Sequence, residues 1–347
     1  MMQEEHFASQ ARACDRLGSP FTARLCRMLP RLLNERSLTG GRIQSWPGDP
    51  AADALALRLV GGLHGLVLSG EHAGLAAVYP PNEAPDDLLE EALLAALAHH
   101  DAALSKALDS PPQTNEIARA AMLLPGFLAI GREFGMPMAV REIGASAGLN
   151  LLFDQFHYRY GDSCWGDEAS PVKLVPQVHG TPPPLGGFLD VSSRAGCDLA
   201  PVNVANGADR LRLKSYVWAD QKARLERLEA AISLVEQTPV TLQRADASGF
   251  LAAQLAQRNE NEVFVLFHSI MWQYLPGKTQ RQIENCLDEA GNVAGAPPLA
   301  WLRMEPISPA DSCATLRLSL WPGGQTRDLA RCDYHGRWIE WVAGTEV

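Results

Sequence analysis

Arg141-Glu142-Ile143-Gly144-Ala145-Ser146-Ala147-Gly148-Leu149-Asn150-Leu151 carries the pattern of an α/β protein: an apolar strand, a small-residue turn and a second apolar run. Met138 to Ile143 reads as a short buried strand, and a turn of Gly, Ala and Ser follows at once. A glycine turn at a strand's end lets the backbone approach a ligand closely, and a helix starting there offers N–H groups without intrahelical partners. In an open parallel sheet, ligands bind beyond the carboxyl ends of the strands, where strand order reverses. Residues 142–150 are therefore read as the ligand pocket of a doubly wound α/β domain.

Downstream, strand and helix patterns alternate. Residues 155–190 are rich in aromatics, Gly and Pro, including Tyr158-Arg159-Tyr160-Gly161 and Pro182-Pro183-Pro184, and read as an insertion with a hairpin. Its segment 156–171 is a candidate lid or dimer contact. A strand ends near Cys197-Asp198, an amphipathic helix fills 221–237, and a strand from Val240 ends at Asp246. Val263-Phe264-Val265-Leu266-Phe267 is the clearest buried strand and runs into His268-Ser269. A helix over 279–289 and a strand over 299–304 follow, and the end of the chain reads as antiparallel β about His335-Gly336. This alternation predicts a mostly parallel sheet with right-handed crossovers and antiparallel C-terminal strands.

Upstream the pattern is helical throughout. Helices are expected within 5–35, over 55–67, over 86–108, and over 115–134 with a kink at Pro125. The expected organisation is an all-helical cap domain, 1–136, followed by an α/β domain, 137–347. With 347 residues and a prior of about 150 per domain, two domains are also what length suggests.

The net charge of −10 repels a phosphate backbone, which disfavours nucleic acid and leaves a small-molecule substrate as the expected partner. Seven Cys with no C-x-x-C spacing indicate neither a disulfide framework nor a zinc site. The N-terminus lacks a basic start with an apolar run, and the most apolar stretch, 55–79, carries Arg58, His64, Glu71 and His72. A cytoplasmic protein without membrane spans is expected. His99-His100-Asp101 lacks an i, i+4 ligand partner and reads as a solvated helix face, so no metal is expected.

The turn admits three readings. A dinucleotide site wants G-x-G-x-x-G, but Ser146 and Leu149 stand at the second and third Gly positions. Such a site also wants an acid about 20 residues on, ending the second strand. Asp162 lies near that distance, whereas Asp198 ends a later strand candidate. A serine hydrolase is the second reading, because Gly144-Ala145-Ser146-Ala147-Gly148 is G-x-S-x-G with His335 downstream. It requires strands before the elbow, and it ends if residues 1–136 contain none. In the third reading, Glu142, Gly144 and Gly148 form an acid, a Gly and a small-residue turn closing on Gly, which resembles the first motif of class I S-adenosylmethionine-dependent methyltransferases. That cofactor carries a sulfonium and an ammonium and no phosphate, so carboxylates suit it better than a basic cradle.

The resemblance extends along the chain. Asn115-Glu116, Leu124-Pro125-Gly126, the 141–151 stretch, Tyr158-Arg159-Tyr160-Gly161, Trp165-Gly166, Ser170-Pro171, Cys197-Asp198-Leu199, Phe267-His268-Ser269 and Tyr274-Leu275-Pro276 together resemble a bacterial family of uncharacterised proteins. That family is grouped with the Rossmann-like methyltransferases. The resemblance implies a Rossmann-like fold and methyl transfer from S-adenosylmethionine to a small or medium acceptor. It also implies cofactor contacts at Glu142, Gly144, Ser146, Gly148 and Asn150, with Asp198 on the ribose hydroxyls and Asp246 near the adenine amino group. His268 is then the candidate base, with Ser269, Trp272, Tyr274, Asn115 and Glu116 on the substrate side. A non-catalytic member binding a nucleoside ligand is the remaining alternative.

Each residue has a plainer reading. Gly144 and Gly148 can serve packing alone, Glu142 can pair with Arg141, and Asn150 can be an early-helix polar group. Asp246 stands where a helix cap stands. His268, after a buried strand, can be a satisfied core histidine.

Overall fold

The computed structural model describes residues 2–238, 240–308 and 310–344. The chain forms two compact units: Met1–Thr114 with Asn203–Glu226, and Asn115–Val202 with Arg227–Val347.

Eight α-helices and no strand lie among the described residues before 138: α1 (Met2–Arg16), α2 (Pro20–Leu32), α3 (Leu38–Gln44), α4 (Leu55–Leu68), α5 (Ala73–Ala76), α6 (Asp86–His99), α7 (Asp101–Ala107) and α8 (Ala120–Phe134). The first unit holds α1–α7 and α9 (Gly207–Ser215) around a core that includes Phe7, Leu25, Leu59, Leu63, Tyr79 and Leu93. Pro20 opens α2 at a position where its missing N–H is no loss. The Ser19 hydroxyl and the Phe21 N–H both bond the Asp220 carboxylate there. The single helix expected over 86–108 is two helices. His100 leaves helical geometry at φ −117° and ψ 25°, and α7 then begins at Asp101, whose carboxylate accepts the N–H groups of Leu38 and Thr39. The break places an external cap on α3, since helix N-termini carry donors their own turns cannot satisfy.

The second unit is built on a large, mostly parallel sheet. Its strands in chain order are β1 (Met138–Ile143), β5 (Gln177–His179), β6 (Val191–Asp198), β7 (Thr241–Arg244), β8 (Val263–Ser269), β9 (Leu299–Glu305), β10 (Ala314–Trp321), β11 (Gln325–Cys332) and β12 (Trp338–Trp341). The intervening β2 (His157–Tyr160), β3 (Ser163–Trp165) and β4 (Lys173–Leu174) make a separate three-stranded sheet. The order in the large sheet is β5-β12-β11-β10-β9-β8-β1-β6-β7. From β7 to β9 all neighbours are parallel; β9 to β12 are antiparallel. The chain steps outward from β1 to β6 and β7, then returns to lay β8 and β9 on the other side of β1. Strand order therefore reverses at β1.

The apolar run of β8 is buried from Val263 to His268 because both sheet faces are covered. On one face Ile143, Phe264, Leu266, Leu299 and Trp301 share a core with Phe250 and Leu251 of α11 (Ala247–Leu255) and Ile283 and Leu287 of α12 (Gly277–Gly291). The opposite face meets α8, every residue of which from Ala120 to Gly131 is buried. There Phe127 stacks on Phe153 at 3.8 Å and meets Phe267 edge-on at 5.2 Å. Each such ring contributes on the order of 1.5–3 kcal/mol by burial.

The aromatic insertion is anchored rather than lid-like. Tyr158 and Tyr160 are fully buried, and their hydroxyls donate to the carbonyls of Phe153 at 2.6 Å and Ala121 at 2.5 Å. Asp162 lies in the turn between β2 and β3, outside the large sheet, whereas Asp198 ends β6, the strand beside β1. Among the described residues no helix is long and apolar enough to cross a membrane.

Candidate ligand site at the carboxyl edge of the sheet

The turn after β1 repeatedly enters the left-handed region, with φ +66° at Gly144, +53° at Ser146 and +70° at Gly148. A Cβ at Gly144 would lie 3.0–3.1 Å from the Met271 side chain, so the loops after β1 and β8 touch here. A Cβ at Gly148 would lie 2.8 Å from the Leu242 side chain and 3.2 Å from that of Val240, so the turn packs closely on these residues, and its left-handed backbone favours glycine. Ser146 has no such freedom, and its backbone costs roughly 1–2 kcal/mol. Local bonds hold it there. Its N–H donates to Asp198 Oδ2 at 2.9 Å, and its carbonyl accepts the Val202 N–H at 3.0 Å. Asp198 Oδ1 accepts the Ala200 N–H at 2.9 Å, so one carboxylate ties the turn to the end of β6.

Glu142 points to the α8 face of the sheet, opposite to Ile143. It is 3% exposed, and its Oε2 is buried without a hydrogen-bond partner. Burial pushes its carboxyl well above the usual range; the Asp198 charge adds to this and Arg119 opposes it. The Arg119 guanidinium is held by the carbonyls of Tyr334 at 2.9 Å and Ser269 at 3.3 Å. Asn115 Oδ1 accepts the Leu149 N–H at 3.0 Å, satisfying a donor at the start of the 3₁₀ segment Leu149–Gln155. Asn150 is buried; its Nδ2 donates to the Glu116 carbonyl at 3.3 Å, while its Oδ1 is unpartnered. The buried Glu116 carboxylate lies 4.0 Å from His335 Nδ1. The segment before α8, the ends of β1 and β6 and the turn after β11 thus bring Glu116, Glu142 and Asp198 to one side of the sheet with Arg119 and His335. Carboxylates outnumber cations, which suits a cationic ligand group.

His268 is elsewhere. Adjacent strand residues face opposite sides, and Phe267, not His268, pairs in register with Glu142. The His268 side chain is fully buried on the α11–α12 face, stacked on Trp272 at 5.2 Å. Its Nδ1 donates to Glu305 Oε1 at 2.7 Å, and the same oxygen accepts the N–H groups of Met271 at 3.0 Å and Trp272 at 3.3 Å. The structure therefore does not bring His268 into the group around Glu142. Ser269 contributes its carbonyl to Arg119, Trp272 stands with His268, and Tyr274 is 76% exposed. Asp246 caps α11 by accepting the Gly249 N–H at 2.9 Å, with the Ser248 hydroxyl at 2.7 Å.

The Ser146 hydroxyl is buried and bonds no histidine or any other group. Arg119, Glu305 and the pairing of Glu116 with His335 escaped the sequence reading. The available signals were a Glu and an Arg just ahead of an otherwise apolar helix and a Glu ending an apolar strand. Among the described residues, no group of three or more His, Cys, Asp or Glu is placed to hold a metal ion.

The model of one protein family, described as uncharacterized proteins conserved in bacteria (DUF2332), matches residues 4–341. Comparison with curated proteins and with solved structures found no match.

Proposed function

We propose that this chain, which belongs to the DUF2332 family, is an S-adenosylmethionine-dependent methyltransferase acting on a small or medium acceptor. The observation that carries the reading is the buried, unpartnered oxygen of Glu142 beside the point where strand order reverses. An order of β7-β6-β1-β8-β9 with antiparallel strands beyond β9 supports a Rossmann-like, doubly wound fold, in which that edge is the place for a ligand.

The residues present fit the cofactor's chemistry. A carboxylate kept from solvent and from protein donors is stabilised by a cation brought beside it. Glu142 would hold the cationic end of the ligand, and Asp198, whose oxygens can only accept when ionised, would lie toward the ribose hydroxyls. Asp246 would lie toward the adenine, its carboxylate also capping α11. The bound cofactor supplies a methyl group on a sulfonium centre. The chain's part is to align an acceptor with that methyl group and exclude water. His335 replaces His268 as the candidate base, because Glu116 beside it would stabilise the imidazolium formed on taking the acceptor's proton.

Ser146 offers no support for the hydrolase alternative, since its hydroxyl lacks an activating base and no strand precedes β1 among the described residues. Titration calorimetry with S-adenosylhomocysteine beside NAD tests the proposal. Micromolar binding of the first and none of the second is expected. Absence of S-adenosylhomocysteine binding by folded protein would refute the cofactor assignment, and binding without turnover across a broad acceptor panel would favour a nucleoside-binding member.

A further inference from the structure

A polar cavity opens on the α11–α12 face, on the opposite side of the sheet from Glu142. Its volume is about 170 Å³, and its walls include Trp272, Trp301, Arg303, Glu305, Glu284 and Arg317. At roughly 30 Å³ per water in the liquid, that is room for five or six waters, or for a small metabolite.

The lining carries more unmet hydrogen-bonding capacity than a structural interior tolerates. Trp301 is 6% exposed, and its Nε1–H donates to nothing. The Arg303 guanidinium lies 3.6 Å above the Trp301 ring, but its buried Nη1 has no acceptor. Burial, with Arg317 next, lowers its pKa to about 10, so an anion beside it would relieve a real cost. Arg317 is already matched by Asp328 in a two-point pair. On the acceptor side, Glu305 is 6% exposed and uses only Oε1, which takes three donors; Oε2 is buried and bare. Groups of both kinds therefore stand together, and each orphan costs on the order of 1–3 kcal/mol.

A simple anion would satisfy Trp301 and Arg303 but not Glu305, and a simple amine would do the reverse. We propose that this cavity is a binding site for a small free amino acid, with its carboxylate on Trp301 Nε1 and Arg303 and its ammonium on Glu305 Oε2. Glu284 at the exposed rim adds a second negative charge on the ammonium side. The site rests on neither Glu142 nor the methyltransferase reading, and the two can fail separately.

The test starts with the full chain and the twenty common L-amino acids, followed by thermal shift. The strongest ligand is then titrated by tryptophan fluorescence beside its decarboxylated amine, its deaminated acid and its 2-hydroxy-acid counterpart. Saturable binding of the amino acid is expected, with each counterpart at least about tenfold weaker, the scale of one lost hydrogen bond to a charged group. Trp301→Phe keeps the ring and removes the N–H, and should also weaken binding about tenfold. Arg303→Lys, at a partly buried position, checks the carboxylate end if the Trp variant folds poorly. The assignment is overturned if none of the twenty binds saturably, if the deaminated or hydroxy acid binds equally well, or if both folded variants bind like the wild type.

Discussion

Glu142 is a carboxyl group that the fold holds out of water and gives no donor at Oε2. Its folded pKa lies above the unfolded value near 4.5, chiefly through burial. The native state therefore binds the proton more tightly than the unfolded chain does, and stability is lost as pH rises from the unfolded pKa through the folded one. Glu142→Gln does not titrate, so its melting temperature should gain on the wild type as pH rises from about 4.5 and level off above the folded pKa. A constant difference across that range would contradict this. Ser146 illustrates strain of another kind. Ser146→Gly removes the penalty of φ +53° and should be neutral or stabilising by up to about 1 kcal/mol, allowing for the greater unfolded-state entropy of glycine. Gly144→Ala should lose about 1–2 kcal/mol, because it adds left-handed strain and presses Met271. Chemical denaturation of the pair measures both.

At the scale of elements, Asp246 separates a structural role from a ligand role. Asp246→Ala removes the N-cap of α11 and should lower stability by about 1 kcal/mol, while Asp246→Asn keeps an acceptor and should lose less than about half of that. Equal losses in urea unfolding would mean that charge, not capping, matters there. The central strands of the parallel sheet were legible where a short apolar run ends at a polar group. Val263–Ser269 and Leu299–Glu305 are examples. Short elements were not. Leu38–Gln44 and Gly207–Ser215 carry too few turns to show a hydrophobic period, and the break at His100 depends on Asp101 meeting α3, a contact between residues about sixty apart. The face occupied by His268 could not be read either, since it follows from the register of β1 with β8.

For the whole molecule, the alternation of strand and helix implied a mostly parallel sheet with antiparallel strands at its end, and that arrangement is observed. Sequence also marked the turn at 144–148 and the acids Glu142 and Asp198 around it. It did not show that Arg119, Glu116 and His335, far apart in the chain, stand on the same side of the sheet. Their meeting is a product of topology, which places the segment before α8 and the hairpin after β11 beside the end of β1. On the proposed function, this edge takes a ligand carrying positive charge next to a protonated Glu142. Binding should then expel that proton, because a cation favours the charged carboxylate.

The most direct test is calorimetric titration of S-adenosylhomocysteine into wild type and Glu142→Gln, in buffers of differing ionisation enthalpy. Micromolar binding by wild type is expected, with proton release and affinity that rises with pH, and at least tenfold weaker binding by the variant without proton release, the scale of one charge-assisted hydrogen bond. Equal binding by both proteins, or no binding by folded wild type, would contradict it.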